Sequence, residues 1–178
     1  MLRSKRYRRP YRVGRSRTGL GGFATRVIRK KELIDQYRGP IIDNKTADEM
    51  DNRYMFEVNS RWTINGSGRH NLARYFNHSC RPNAESDVKG HKVIILARKT
   101  IQPGEEITYD YGKDYFDIFL KPIGCKCDKC REKRAAERAE KRARKLRAER
   151  RAAAAGKKPQ VKRGKVGATK PRKAKKRK

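Results

Sequence analysis

The spacing of the four cysteines constrains the fold of this 178-residue chain more than any other feature. Cys125, Cys127 and Cys130 lie within six residues of one another, and Cys80 stands alone 45 residues before the first of them. A structural zinc site takes four ligands in a tetrahedron, so the three clustered thiols leave one position, which Cys80 can fill. Such a site would hold the segment after residue 120 against the loop around Cys80. It would be structural, because a site closed by four cysteines leaves no position for water.

Two alternatives for the cysteines stay open at this point. They could be free or disulfide-bonded, or His78 or His91 could complete a three-cysteine site. The N-terminus carries charge without a following apolar run, and the longest apolar stretch, VIILA at residues 93–97, is far shorter than the roughly 20 residues of a membrane span. An intracellular, reducing location is therefore expected, and there clustered cysteines favour a metal over disulfides.

The net charge of +31 is concentrated at the two ends of the chain. Residues 131–178 hold 23 Lys or Arg against 4 Glu, whereas residues 1–130 hold 27 Lys or Arg against 15 Asp or Glu. The length suffices for one domain with a core of its own. The sequence therefore predicts a compact body with a basic arm at each end.

Short apolar runs broken by glycine predict a mainly β fold for the body. Helical turns are expected within residues 44–54 and 70–79. Strands are expected at FATRVI (23–28), IDQYRGPII (34–42), YMFEV (54–58), WTIN (62–65), HKVIILARKTI (91–101) and ITYDYG (107–112). After Cys130, strong helix formers predict a helix that Gly156 ends, with too few apolar residues to bury a face. The last 22 residues are low in complexity and are expected to be disordered.

Five motifs occur in a fixed order along residues 12–131. They are GRSRTGLGGFA, QYRG, RYFNHSCRPNAE, PGEEITYDYG and CKCDKC. Together they resemble the SET-domain protein lysine methyltransferases that end in a post-SET cysteine segment. The resemblance implies a small β fold with a C-terminal pseudoknot, S-adenosylmethionine on one side and a narrow channel for the substrate lysine on the other. It also implies that Cys80 joins the post-SET cysteines around one structural zinc ion.

The resulting division of the chain has five parts. We expect a basic disordered lead at 1–11, a SET domain at 12–120, a post-SET zinc segment at 121–131, a solvated charged helix at 132–156 and a disordered Lys/Arg-rich tail at 157–178.

The resemblance assigns catalytic roles to three tyrosines. Tyr111 matches the family's catalytic tyrosine, Tyr37 matches the second channel tyrosine, and Tyr109 lies where the family sets the number of methyl groups, with Tyr resembling the mono-methylating pattern. A second set of residues matches the family's cofactor site, and in it Asn77 and His78 act largely through backbone groups. That set is Thr18, Gly19, Leu20, Gly21, Tyr54, Arg74, Asn77, His78 and Tyr115.

Three departures from the family pattern concern supporting residues. Gly39-Pro40 replaces the usual Gly-Glu pair, Asn65 replaces a frequent Asp, and the cysteine segment is C-x-C-x2-C instead of C-x-C-x4-C. The first two affect supporting hydrogen bonds and hence the expected rate. The third tightens the zinc loop without removing a ligand.

The predicted function is S-adenosylmethionine-dependent lysine methylation of a histone or histone-like protein. The basic tail is expected to bind nucleic acid non-specifically, although a solvated charge run, a nuclear-import signal and self-methylation are other uses of the same residues. The alternative is a non-catalytic, zinc-containing binding module associated with nucleic acid. A monomer is expected, without membrane attachment, on the nucleoid or chromosome, in the nucleus or cytoplasm, or delivered to a host.

Overall fold

The computed structural model describes residues 9–50 and 52–156 of the chain. The chain divides between Ala136 and Glu137 into two units. The predicted basic tail and most of the predicted lead fall outside the described residues. Among the described residues, no helix is both long enough and apolar enough to cross a membrane.

Short strands are the main regular elements of the described part of the first unit. They are β1 Tyr11–Ser16, β2 Gly19–Ala24, β3 Leu33–Tyr37, β4 Ile41–Asp43, β5 Met55–Glu57, β6 Trp62–Asn65, β7 Asn77–His78, β8 Ala84–Lys89, β9 Lys92–Ala97 and β10 Glu106–Tyr109. The helices are α1 Asn44–Asp48, a 3₁₀ turn at Leu72–Tyr75, α2 Lys113–Tyr115, a π-helical turn at Phe116–Leu120, and α3 Asp128–Ala154. The mainly β prediction is confirmed.

Three small sheets carry these strands, in the orders β1-β2-β10-β7, β3-β9-β8 and β4-β6-β5. The pairing of β7 with β10 is parallel and sets Asn77 beside Thr108 and His78 beside Tyr109. Two motifs about 30 residues apart in the sequence therefore lie side by side, which brings the NHSC segment to the TYDY segment.

Strand positions differ from the sequence prediction in several places. The strand expected at residues 23–28 lies at Gly19–Ala24, and the stretch 34–42 is divided between β3 and β4. Three strands were not predicted: β1, β7 and β8. Apolar runs locate the buried strands, but β1 and β8 consist largely of polar residues and pair through the backbone with a more apolar neighbour.

The start of the ordered body lies earlier than predicted. Tyr11, assigned to the disordered lead, is 5% exposed and packs edge-on against Phe76. Its hydroxyl donates to Asp35, a buried carboxylate that also pairs with Arg9 at 3.4 Å and Arg38 at 2.6 Å. A buried charge needs such partners, and this group of contacts ties β1 to β3.

Gly22 and Phe76 share one space in the core. A Cβ built on Gly22 would lie 2.4 Å from the ring of Phe76, which is 1% exposed and cannot move aside. The glycine is therefore needed because the neighbouring side chain is large, not because the backbone conformation is unusual.

Gly22→Ala is expected to lower the free energy of unfolding by about 1–3 kcal/mol, the usual cost of overpacking a core. Gly14→Ala is the matched control, because its Cβ would meet only the mobile end of Arg12 at 2.7 Å and the Phe23 ring at 3.4 Å. Urea denaturation of both variants measures the difference. In the double variant Gly22→Ala/Phe76→Leu, the loss of stability should be smaller than the sum of the losses in the two single variants, because the smaller leucine makes room for the added Cβ. Equal stabilities for the two single variants would contradict this assignment.

The second unit contains most of helix α3. No residue of this helix is buried. Lys145 and Glu149 form an i,i+4 pair at 3.9 Å, and Gly156 follows the helix with φ of 51°. The helix begins at Asp128, four residues before the predicted start, so that Cys130 lies in its first turn.

Candidate active site and metal cluster

The three predicted catalytic tyrosines belong to one continuous row of aromatic rings. Ring centroids are 5.3 Å apart for Tyr37 and Phe56, 6.5 Å for Phe56 and Tyr109, and 4.9 Å for Tyr109 and Tyr111. Tyr115 continues the row, 5.0 Å from Tyr111. The row draws on β3, β5, β10 and α2, so it is a product of the fold and not of any one motif.

Backbone carbonyls orient two of the tyrosine hydroxyls. The Tyr111 hydroxyl donates to the carbonyl oxygen of Phe76 at 2.8 Å, and that of Tyr37 donates to the carbonyl oxygen of Tyr54 at 2.9 Å. Each proton is therefore engaged, and each hydroxyl oxygen keeps lone pairs that can accept a hydrogen bond from a ligand.

Burial is the main influence on the ionisation of these tyrosines. It raises the pKa of Tyr37, Tyr109 and Tyr111 above the usual range, and neighbouring tyrosines add to the effect at Tyr109 and Tyr111. All three are therefore neutral at physiological pH and cannot serve as preformed anionic bases.

Asn77 contacts the glycine turn, which is the TGLGG stretch at residues 18–22 and belongs to the predicted cofactor site. Asn77 donates through Nδ2 to the carbonyl oxygen of Leu20 at 2.9 Å and to Glu106 Oε1 at 2.6 Å, and Ser16 Oγ donates to the same carboxylate at 2.7 Å. Gly19 has φ of 121°, a conformation that favours glycine, and nothing lies within 4 Å of where its Cβ would be.

A cleft of about 280 Å³ opens beside this turn. Three of the predicted cofactor residues line it, namely Thr18, Asn77 and His78, together with Lys126 and Cys127 of the cysteine segment. The cleft therefore lies between the glycine turn, the NHSC segment and the cysteine segment.

Arg74 and Tyr54 form a second part of the predicted cofactor site. The Arg74 guanidinium lies 3.6 Å from the Tyr54 ring centroid, and its Nη1 donates to the carbonyl oxygen of Ser67. Among the described residues, Arg74 Nε is the one buried side-chain nitrogen or oxygen without a hydrogen-bond partner. A carboxylate would satisfy this donor, so the residues fit an amino-acid ligand such as the methionine part of S-adenosylmethionine.

The four cysteines come together as the spacing predicted. Their sulfur atoms all lie within 4.8 Å of one another, with Cys80 Sγ 3.6 Å from Cys130 Sγ and 4.0 Å from Cys125 Sγ. Four sulfurs at about 2.3 Å from one zinc ion would be separated by similar distances, so the cluster fits a tetrahedral metal. His91 instead packs edge-on against Trp62, with ring centroids 6.4 Å apart.

The thiols differ in how readily they ionise. Burial raises the pKa of Cys80 well above its usual range and that of Cys125 to about 11. Burial also acts on Cys127, but hydrogen bonds from the backbone N–H groups of Cys80 and Cys130 outweigh it and hold the pKa at about 7. Cys127 therefore ionises more readily than Cys80 and Cys125.

The first turns of α3 are fastened to the body around this cluster. Asp128 pairs with Arg17 at 2.8 Å, Glu132 pairs with Arg81 at 3.0 Å, and Arg134 donates to the carbonyl oxygen of Cys125 at 2.7 Å. The shortened C-x2-C spacing lets the helix start directly after Cys127, which explains its early beginning.

Two departures from the family pattern have a local explanation. Asn65 Oδ1 accepts from Asn52 Nδ2 at 2.9 Å and from the Ser67 backbone at 3.1 Å, so the amide accepts hydrogen bonds as a carboxylate would. A Cβ on Gly39 would lie 1.9 Å from the carbonyl oxygen of Asn65, and the Asn65 N–H donates to the Pro40 carbonyl at 2.9 Å. Gly39-Pro40 therefore supports β6 through its backbone.

Sequence reasoning missed two aromatic residues of the site. Phe56 bridges Tyr37 and Tyr109, and Phe116 packs on His78 with centroids 5.4 Å apart. The alternation of Tyr54 and Phe56 about β5 was the available signal for the first, since residues two apart share a face of a strand.

Comparisons with known proteins agree with this architecture. The family model described as the SET domain matches residues 19–112. The chain is 38% identical over 125 residues to "Histone-lysine N-methyltransferase set1" of Dictyostelium discoideum, covering 63% of this chain and 8% of that protein. It is 38% identical over 134 residues to the human "Histone-lysine N-methyltransferase 2D", covering 67% of this chain and 2% of that protein. It is 33% identical over 121 residues to the Schizosaccharomyces pombe "Histone-lysine N-methyltransferase, H3 lysine-4 specific", covering 61% of this chain and 13% of that protein.

The chain therefore belongs to the SET-domain family, because the family model matches more than half of its length. It spans between 2% and 13% of the length of these three relatives. The similarity to these three relatives thus concerns stretches of 121 to 134 residues, and the rest of each relative lies outside the matched stretch.

Proposed function

We propose that this chain transfers a methyl group from S-adenosylmethionine to the side-chain amine of a lysine in a histone or histone-like protein. The observation that carries the proposal is the parallel pairing of β7 with β10. It puts Asn77 and His78 directly beside the segment that contributes Tyr109 and Tyr111. The names of the relatives, all histone-lysine N-methyltransferases, favour a histone as the substrate.

The chemistry requires a neutral amine and an aligned methyl group. S-adenosylmethionine would supply a methyl activated by a sulfonium, held by the glycine turn, Asn77, the His78 backbone and Arg74. A lysine with a pKa of about 10.4 must lose its proton first, which costs about 4–5 kcal/mol at pH 7. Buried aromatic walls such as those around Tyr109 disfavour the ammonium form and so lower this cost.

The hydroxyl oxygens of Tyr111 and Tyr37 would position the amine. Because each donates its proton to a backbone carbonyl, its oxygen is free to accept an amine N–H. Alignment of reacting groups can contribute several kcal/mol to catalysis, so the site needs rigid acceptors more than a strong base.

The deciding experiment incubates the full chain with methyl-labelled S-adenosylmethionine and core histones. Label on histone lysines, mapped by mass spectrometry, is the expected result. An acidic protein of similar size serves as the control acceptor. Absence of transfer to histones, to bacterial histone-like proteins and to the chain itself would overturn the enzymatic assignment and favour the non-catalytic binding module.

The rate of methyl transfer is expected to rise with pH. In single-turnover experiments from pH 7 upward we expect the rate to increase by up to about 10-fold per pH unit and to level off at the pKa of the bound amine, because the neutral fraction of the amine grows by that factor only below its pKa. The tyrosines should not reverse this rise, because burial raises the pKa of both Tyr37 and Tyr111. A flat profile, or a decline above pH 8, would contradict this description of the site.

The basic tail, outside the described residues, is proposed to bind nucleic acid. Residues 157–178 contain 12 Lys or Arg and no acidic residue. A chain ending at Gly156 is expected to bind duplex DNA at least about 10-fold more weakly near 0.1 M salt and with a shallower salt dependence, because fewer counterions are released. Fluorescence anisotropy at several salt concentrations measures both quantities.

A variant with the same tail residues in scrambled order is the matched control. It should bind as the wild type does, because contacts with phosphates carry no sequence information. Equal affinity and salt slope for the truncated and full chains would remove this role for the tail. Binding to chromosomal DNA would also support the proposed location on the chromosome or in the nucleus.

A further inference from the structure

The His78 side chain lies between the tyrosine row and the cysteine cluster. Its Nδ1 is 3.3 Å from the backbone nitrogen of Tyr111, and its Nε2 is 3.3 Å from Cys80 Sγ. The side chain is 5% exposed, and the rings of Tyr111 and Phe116 pack on it, each with a centroid distance of 5.4 Å. The imidazole therefore touches both functional groups and is largely shielded from water.

The two contacts define where the imidazole carries its proton. A backbone N–H can only donate, so the Tyr111 N–H requires a lone pair on Nδ1. A neutral imidazole has one proton, which then resides on Nε2 and faces Cys80 Sγ. The Asp110 carboxylate oxygen lies 3.7 Å from Nδ1, too far for a hydrogen bond that would compete for this nitrogen.

We propose that His78 is a positioning residue that links the cysteine cluster to Tyr111. In this arrangement the Nε2–H donates to the Cys80 sulfur, and the Nδ1 lone pair holds the Tyr111 backbone in place. The inference rests on the proposed function for the role of Tyr111 and on the fit of the cysteine cluster to a tetrahedral metal for the role of Cys80. It assigns the side chain a task separate from the backbone contacts expected for cofactor binding.

The arrangement has two separable consequences. Hydrogen bonds to metal ligands tune the ligands, and their loss typically lowers metal affinity by about 10- to 100-fold. Displacement of a catalytic group by about 1 Å can lower the rate by about 100-fold. One imidazole would thus influence metal retention through Nε2 and catalysis through Nδ1.

The first test determines the tautomer in the zinc-loaded full chain. Long-range ¹H–¹⁵N correlation spectra of the chain, which has three histidines, distinguish the two neutral tautomers from each other and from imidazolium. The His78 signals are identified by their absence from the spectrum of His78→Gln. We expect a neutral ring with the proton on Nε2. A proton on Nδ1, or a doubly protonated ring, would overturn the proposal.

The second test separates the two ends of the ring with a pair of variants. A glutamine side chain can present an N–H near the position of Nε2, whereas an asparagine oxygen can accept near the position of Nδ1 but does not reach Cys80. In chelator competition, His78→Asn should lose zinc affinity by about 10-fold or more, and His78→Gln should retain most of it. The kcat values of the two variants should show the opposite order. His78→Gln should be the slower enzyme, because it lacks the acceptor near Nδ1 that holds the Tyr111 backbone.

His91→Gln is the control variant, because His91 packs against Trp62 away from the cluster, and it should change neither quantity. Equal zinc affinities for His78→Asn and the wild type would overturn the link. The tautomer and the zinc affinity are measured without methyl transfer, so a chain that binds zinc as expected but transfers no methyl would contradict the proposed function and leave the contact with Cys80 intact.

Discussion

A chain carrying Tyr111→Phe is expected to bind S-adenosylmethionine with near wild-type affinity but to transfer the methyl group about 100- to 1000-fold more slowly. Loss of one preorganised polar group at a reacting centre typically has an effect of about this size. The substitution removes the hydroxyl that donates to the Phe76 carbonyl at 2.8 Å. The ring remains packed between Tyr109 and Tyr115, so the walls of the site are kept.

Tyr115→Phe is the matched control for this prediction. Its ring belongs to the same aromatic row, but its hydroxyl donates to the Arg53 carbonyl at 3.3 Å, away from the Phe76 carbonyl. We expect kcat within about 3-fold of wild type for this variant, with the cofactor affinity measured by calorimetry for both. Equal transfer rates for Tyr111→Phe and wild type would show that the hydroxyl takes no part in the reaction.

The sequence was sufficient to predict contacts that depend on chemistry. Zinc needs four ligands, and the chain has four cysteines, so the approach of Cys80 to residues 125–130 could be inferred across 45 residues. The pseudoknot, which sets Asn77 beside Thr108, was implied only by the resemblance to the SET-domain family. These inferences do not require knowledge of packing.

The missed features depend on packing between distant residues. Tyr11 lies in a run of basic residues, but its hydroxyl donates to Asp35 and its ring packs against Phe76. Both partners are distant in the sequence, so the residues near Tyr11 give no sign of these contacts. Phe76 fills space that Gly22 leaves empty, although 54 positions separate them. Local patterns of apolar residues carry no information about such pairs.

The start of α3 shows how one spacing alters the structure around the cysteines. Only two residues separate Cys127 from Cys130, and the Arg131 N–H donates to the Cys127 carbonyl at 3.0 Å, so the first helical turn runs through the ligand segment. Cys127 therefore lies at the helix N-terminus, where backbone N–H groups and the helix dipole favour a thiolate. Composition alone placed the helix after the cysteines because the run of strong helix formers begins there.

Removal of the metal, or Cys80→Ser, is expected to lower the midpoint of thermal unfolding by roughly 10 °C or more. A structural zinc ion contributes on the order of 10 kcal/mol to folding, and in a domain of this size 1 kcal/mol corresponds to about 2–4 °C. Cys80 connects the body to the segment that carries Cys125 and Cys130, so its loss also separates Lys126 and Cys127 from the other side of the cleft. Methyl transfer should then fall together with metal content.

Elemental analysis and scanning calorimetry of the purified full chain measure the two effects. We expect one zinc ion per chain in the wild type and in His91→Gln, and well below one in Cys80→Ser. His91→Gln controls for loss of a metal-binding residue type elsewhere, because His91 contacts Trp62 and lies outside the cysteine cluster. If Cys80→Ser kept a full equivalent of zinc and the wild-type unfolding midpoint, the fourth ligand would have to be another group, and the cysteine segment would not be fastened to the NHSC loop through metal.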